Sequence, residues 1–233
     1  MRVDVVFGLP KELAEVMVVV DVFRSSTTIV TALENGAEEI IPCASIDEAR
    51  KMKKSIGSGV LLVGERMGFT PEGFDFNISP RLMKPEAVSG KKIIYCSTNL
   101  MKVVSQCLDA KTLLIGALSN SRAVARYLNS LKPDSVSIVA CGLIPKNMVT
   151  LEDVIGAGAI VSKLRYEEAS DTALLAQLAY ESGKWKDFAR KGYIANYLSR
   201  IGWGEDIELC LMEDTSNIVP ILKDGVFKAL VVE

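Results

Sequence analysis

A carboxylate, an arginine and four consecutive hydroxyls follow an apolar run in Val18-Val19-Val20-Asp21-Val22-Phe23-Arg24-Ser25-Ser26-Thr27-Thr28. Asp21 suits a divalent cation, and Arg24 can grip a phosphate or carboxylate bidentately. Ser25, Ser26, Thr27 and Thr28 open an apolar-periodic helix (Ile29, Val30, Leu33), whose N-terminus adds backbone donors for an anion. One hydroxyl is expected to cap that helix, leaving the others for a ligand. The set can hold a phosphate beside Mg2+. Asp21 reads either as a Mg2+ ligand or as a nucleophile toward phosphorus; the structural alternative is a helix cap or an ion partner for Arg24.

The same pairing of acid and arginine recurs in Gly64-Glu65-Arg66, after the apolar run 60–63. Another hydroxyl-rich turn, Ser97-Thr98-Asn99, follows the apolar run 92–96. Glu152 and Asp153 sit in the first turn of an expected helix, where the helix dipole favours acids whatever the function. Asp75 lies in the irregular stretch 68–81 and is a further candidate. The chain contains no histidine, which excludes imidazole bases and ligands. Hydrolysis at phosphorus then has two routes, a metal-activated water or an attacking aspartate.

These residues need a scaffold that presents strand ends. Apolar runs predict strands over 3–7, 16–20, 39–42, 60–64, 92–96, 112–115, 135–140 and 227–232. Helical periodicity predicts helices over 27–35, 46–55, 100–108, 119–131, 151–164, 171–182, 185–189 and 192–201. The alternation implies a three-layer α/β/α unit with a mostly parallel sheet, spanning residues 1–233. Residues 16–56 and 91–131 show a weak internal similarity that suggests a duplicated unit, with chance similarity between two strand–helix units as the rival. Gly156-Ala157-Gly158-Ala159 is expected to let one helix pack closely on a neighbour.

The net charge is −2, with no basic run beyond Lys51-Met52-Lys53-Lys54, so nucleic acid is not an expected partner. No run is long and apolar enough to span a bilayer, and the expected setting is the cytoplasm. The five cysteines are spread apart and read as buried, reduced thiols. A homo-oligomer is compatible with this composition.

Taken in order, these segments resemble the 2-phosphosulfolactate phosphatase family, Mg2+-dependent enzymes of coenzyme M biosynthesis. The matching residues are Asp21 to Thr28 with Ala32-Leu33-Glu34-Asn35-Gly36-Ala37, Gly64-Glu65-Arg66, Gly73-Phe74-Asp75 leading to Ser79-Pro80, Ser97-Thr98-Asn99, Leu151-Glu152-Asp153 with Ala157-Gly158-Ala159, and Asp206-Ile207 through Val219-Pro220. The resemblance implies two similar, intertwined halves and hydrolysis of phosphate monoesters of 2-hydroxycarboxylic acids. There are two departures. The family reads Thr-Thr-Asn-Gly-Thr where Ser97-Thr98-Asn99 continues as Leu100-Met101, and Gly-Asn where Asn77-Ile78 stands.

The expected protein is a Mg2+-dependent phosphatase for a small anionic 2-phosphohydroxy acid. Catalysis is expected at Asp21, Arg24, Glu65 and Arg66. Phosphate contacts are expected from Ser25, Ser26, Thr27, Ser97, Thr98 and Asn99, and Mg2+ ligands from Asp21, Glu65 and Asp153. One rival is a non-catalytic module that binds a phosphorylated metabolite with the same turns and no metal. Another is a relative with a different phosphoester substrate.

Overall fold

In the computed structural model, which describes residues 1–57 and 59–233, apolar runs form the sheet and the periodic runs form helices. β1 (Arg2–Phe7) and β2 (Val16–Val20) are followed by α1 (Ser25–Glu34), β3 (Glu39–Pro42), α2 (Ile46–Ile56), β4 (Val60–Gly64), α3 (Pro85–Val88) and β5 (Lys92–Cys96). Next come α4 (Leu100–Gln106), β6 (Thr112–Gly116), α5 (Ser121–Leu131), β7 (Ser135–Ala140), α6 (Leu151–Val161), β8 (Glu168–Ala169) and α7 (Asp171–Glu181). The chain ends with α8 (Trp185–Lys191), α9 (Tyr193–Arg200), α10 (Asp206–Cys210), β9 (Ile218–Lys223) and β10 (Val226–Val231).

Among the described residues the strands form one sheet in the order β4-β5-β3-β10-β9-β6-β2-β7-β1-β8. Two parallel blocks, β4-β5-β3 and β6-β2-β7-β1-β8, flank the antiparallel hairpin β9-β10. The hairpin joins each block through one residue pair, Phe227 with Ile40 and Ile221 with Leu114. The chain crosses between blocks at β2-α1-β3 and again at β5-α4-β6. The sequence reading missed β9, where Pro220 argues against a strand inside a sheet. Pro220 pairs with Ala229 of β10, and the sparse pairing to β6 tolerates a residue without an N–H. The short elements β8, α3 and α10 were also missed, being too brief to show a period.

Helices cover both sheet faces. Val16, Val18 and Val20 pack with residues of α5, α6 and α7. Met17 and Val19 face the other way, against Ile29 and Leu33 of α1 and Leu100 and Val103 of α4. α2 covers Ile41, Val60 and Ile94 through Ala49. The sheet also curls strongly. β5 and β2 are five positions apart in the sheet order, about 24 Å if it were flat. Yet Tyr95 Oη at the end of β5 donates to Ser25 O beyond β2 at 3.3 Å. Curling therefore brings the C-terminal ends of the two blocks together, and the ligand crevice of an open α/β sheet lies at such ends.

The cysteines are buried and unbonded, as expected. Among the described residues no helix is long and apolar enough to cross a membrane.

Candidate active site

The ends of β2, β4, β5 and β7, closed over by α9, wall a cavity of about 340 Å³. Asp21, Arg24 and Ser25 enter it from β2, Glu65 from β4, and Thr98 and Asn99 from β5. Lys146 comes from the loop after β7, and Tyr193 and Tyr197 from α9.

Asp21 is buried, and its carboxyl is pushed up to about 8, first by burial and then by the Asp153 carboxylate. The Ser25 hydroxyl and amide oppose that rise, with the amide 3.5 Å from Oδ1. Asp153 is also raised to about 8, by burial and then by Glu152, which burial itself raises to about 7. The Asp153 oxygens accept from Val22 N at 2.7 Å, Gly142 N at 2.8 Å and Thr150 Oγ1 at 3.1 Å. Asp153 therefore ties the β2 end to the β7 end and does not line the cavity. Close packing of α6 permits this. A Cβ on Gly156 would lie 2.6 Å from Val22 Cγ2, and one on Gly158 would lie 2.0 Å from Ala176 O of α7.

Glu65 clamps two loops. Its Oε1 accepts from Thr98 N at 2.6 Å and its Oε2 from Gly68 N at 2.8 Å. Position 68 requires glycine, because its φ is +77° and a Cβ would meet Ile201 Cδ1 at 2.4 Å.

The arginines are not free to grip an anion. Arg24 Nη1 donates to Asp206 Oδ2 at 2.6 Å, and Nη2 to Asn77 Oδ1 at 2.8 Å. Its guanidinium lies 4.7 Å from the Trp203 ring centroid. Asp206, fully buried, also accepts from Ser79 Oγ at 2.7 Å and Arg81 Nε at 2.9 Å. The ion partner of Arg24 is thus Asp206, not Asp21. Arg66 donates to Glu65 O at 2.7 Å, Ala44 O at 3.4 Å and Cys96 Sγ at 3.1 Å, outside the cavity wall.

Most hydroxyls after β2 close onto their own backbone. Ser26 Oγ accepts from Asp21 N at 2.8 Å, Thr27 Oγ1 donates to Val22 O at 3.0 Å, and Thr28 Oγ1 donates to Arg24 O at 2.8 Å. None caps α1, whose N-cap position is Arg24 with no side-chain bond. Ser97 Oγ accepts from Met101 N at 3.4 Å as α4 begins, away from the cavity. Thr98 differs, because its buried Oγ1 has no hydrogen-bond partner. Asn99 Oδ1 accepts from Ile144 N at 3.1 Å. Asp75 accepts from Lys53 Nζ and Leu62 N, outside the cavity.

The departures from the family pattern fall in different places. Leu100 and Met101 are core residues of α4. Asn77 holds Arg24, and Ile78 lines the cavity. Sequence reasoning missed Lys146, Tyr193, Tyr197 and the role of Asp206. The position of Lys146 beyond a parallel strand was a usable signal. Asp206 meets Arg24 across 182 residues, and no local pattern shows that.

The expected three-carboxylate Mg2+ set is not assembled. Among the described residues no three His, Cys, Asp or Glu converge on one point. Asp21 and Glu65 do line the same cavity, with Ser25 and Thr98 among its other lining residues. That donor set fits Mg2+, which takes one or two carboxylates and completes its shell with water and substrate phosphate.

The family described as 2-phosphosulpholactate phosphatase matches residues 7–225. Similar curated proteins carry the name "Probable 2-phosphosulfolactate phosphatase". The one from Carboxydothermus hydrogenoformans is 37% identical over 230 residues, 94% of this chain and 92% of the relative. The one from Caldanaerobacter subterraneus subsp. tengcongensis is 36% identical over 219 residues, covering 91% and 89%. The one from Thermotoga maritima is 36% identical over 212 residues, covering 90% of each. A match of this extent to both the family and its members establishes that the chain belongs to the 2-phosphosulfolactate phosphatase family.

Proposed function

We propose that the protein is a Mg2+-dependent phosphatase that hydrolyses the phosphate monoester of a small 2-hydroxycarboxylic acid, converting 2-phosphosulfolactate to 3-sulfolactate and phosphate. Family membership and the relatives' names support the reaction class. The observation that carries the metal is electrostatic: Asp21 and Glu65 open on the cavity where an anionic substrate must sit. Burial and Asp153 already penalise the Asp21 charge, and a phosphate beside it would add to that penalty, so Asp21 can serve as a carboxylate there only when a cation replaces its proton and lies between the two. Bound Mg2+ would neutralise the phosphoryl oxygens.

In this reading the chain's own groups divide the remaining work. Asp21 is the carboxylate at the reacting end. Ser25 Oγ and the unpaired Thr98 Oγ1 donate to phosphate oxygens. Asp153 and Arg24 position rather than react. Asp153 fixes the β2 end through Val22 N, and Arg24 fixes the start of α1 through Asp206. The cavity wall contributed by Phe23, Ile78 and Leu198 excludes water. The enzyme would act in the cytoplasm, in coenzyme M biosynthesis.

The test is phosphate release from 2-phosphosulfolactate, with Mg2+ and with EDTA, for the wild type and Asp21→Asn. Release that needs Mg2+ and is lost on substitution upholds the reading. A folded wild type that binds sulfolactate but releases no phosphate leaves a binding module instead.

A further inference from the structure

A substrate that carries a sulfonate and a carboxylate beside its phosphate needs cations in more than one place. The cavity wall holds two, Arg24 and Lys146. Arg24 is committed to Asp206 at the buried end. Lys146 makes no ion pair among the described residues; its Nζ donates to Tyr193 Oη at 2.7 Å and lies 4.9 Å from that ring's centroid.

The backbone under Lys146 is built to hold it. Leu143 and Met148 close a turn by donating to each other's carbonyls at 2.9 and 3.3 Å. Within it Lys146 N donates to Leu143 O at 3.0 Å, and Asn147 takes the left-handed conformation at φ 48°. The bond from Ile144 N to Asn99 Oδ1 fixes this turn to the β5 end, beside Thr98, which lines the same cavity. Across the cavity, Tyr197 Oη donates to Met67 O at 2.9 Å and anchors α9, which carries Tyr193. Two separately anchored elements therefore present an ammonium and a phenol side by side. Because Tyr193 Oη accepts from Lys146, its own proton is free for an acceptor oxygen.

We propose that Lys146 and Tyr193 form a second anion subsite, which receives the sulfonate at the partly solvated rim while the phosphate occupies the Asp21 end. The inference rests on the phosphatase reading for the identity of the substrate. A sulfonate stays ionised and spreads its charge over three oxygens, so a compact ammonium serves it without the planar fork of an arginine. The rim also spares the sulfonate the full desolvation that the buried end would impose. The subsite thus sets the preference for acid-tailed over methyl-tailed 2-phosphohydroxy acids.

The decisive comparison uses Lys146→Gln, Lys146→Arg and Tyr193→Phe. For each, kcat/KM is measured with 2-phosphosulfolactate and 2-phospholactate, and equilibrium binding with sulfolactate and lactate. Losing a charge-assisted contact should lower the sulfonate preference about tenfold or more in Lys146→Gln, mostly through KM, with a smaller loss in Tyr193→Phe. Lys146→Arg should restore most of it. An unchanged preference and unchanged sulfolactate affinity in Lys146→Gln, with turnover intact, overturns the subsite and leaves the phosphatase standing. Absent turnover in the wild type, with sulfolactate binding still dependent on Lys146, removes the phosphatase reading and keeps the subsite. Equal losses on both substrates mean that Lys146 serves the phosphate or carboxylate, which also overturns the proposal.

Discussion

The turn after β2 and the turn after β5 carry similar residues and use them differently. After β2, three of four hydroxyls bond to their own backbone, and the arginine is buried against Asp206. Only Asp21, Phe23, Arg24 and Ser25 from that segment reach the cavity. After β5 the structural bonds are made by Thr98 N and Asn99 Oδ1, so the Thr98 hydroxyl remains unpaired. A dense cluster of polar side chains can therefore be scaffold, while a sparse one keeps the free valence that a ligand needs.

The sharpest way to break this contrast is Asp21→Asn. With 2-phosphosulfolactate and Mg2+, turnover should fall by about a hundredfold to a thousandfold. The fold should survive, because removing a charge beside Asp153 relieves repulsion at that buried site. A melting temperature at pH 8 equal to or above the wild type's, together with lost activity, is the expected pair of results. Arg24→Ala should instead act on stability. Removing one partner of a buried ion pair costs about 3–5 kcal/mol, readable in urea titrations. The double variant Arg24→Ala with Asp206→Ala should recover part of that loss, since the buried Asp206 carboxylate is then not left with only the half-exposed Arg81 as its cation partner. Full additivity of the two single losses would mean that the pair is not coupled.

The two turns also explain what could be read from the chain. The strand core was legible because β2 and its neighbours are continuously apolar, as strands covered on both faces must be. Asp21, Glu65 and Thr98 were legible as residues at strand ends. Arg24 and Arg66 were legible as residues but not as states, because a guanidinium's partner is set by tertiary contact. Asp206 lies in the short helix α10, and Cys96 and Ala44 lie on other strands or loops. The curl of the sheet was not legible either. The joint between the two blocks runs through the β9-β10 hairpin, where Pro220 disguises β9 and each block is met at a single residue pair, so no local pattern announces it.

A smaller effect separates the turns directly. Thr98→Val should cut kcat/KM about tenfold while changing stability by less than about 0.5 kcal/mol, since that hydroxyl has no partner to lose. Thr28→Val should do the reverse, costing about 1 kcal/mol for the lost bond to Arg24 O with a lesser effect on turnover. Equal stability losses in both variants would show that the Thr98 hydroxyl is also structural.

The last effect is one of pH, and its sign follows from three buried carboxyls. Asp21 and Asp153 titrate near 8 and Glu152 near 7, against ordinary carboxylate values when unfolded. The folded chain therefore binds more protons than the unfolded chain above about pH 4, so this contribution is complete at low pH and declines as pH rises through 7 and 8. The lowered groups Glu15, Glu208 and Asp214 act below their ordinary carboxylate values and leave the window from 5 to 7 clear. Cys96, held near 7 by the Cys43 thiol and Arg66, opposes the decline only above that window. In EDTA the melting temperature should thus fall between pH 5 and 7, and less steeply in Asp21→Asn. Mg2+ should raise it more at pH 8 than at pH 6, because the cation displaces the Asp21 proton it competes with. A flat profile in EDTA would show that the carboxyls after β2 and at the start of α6 are not the buried, mutually repelling set that this geometry requires.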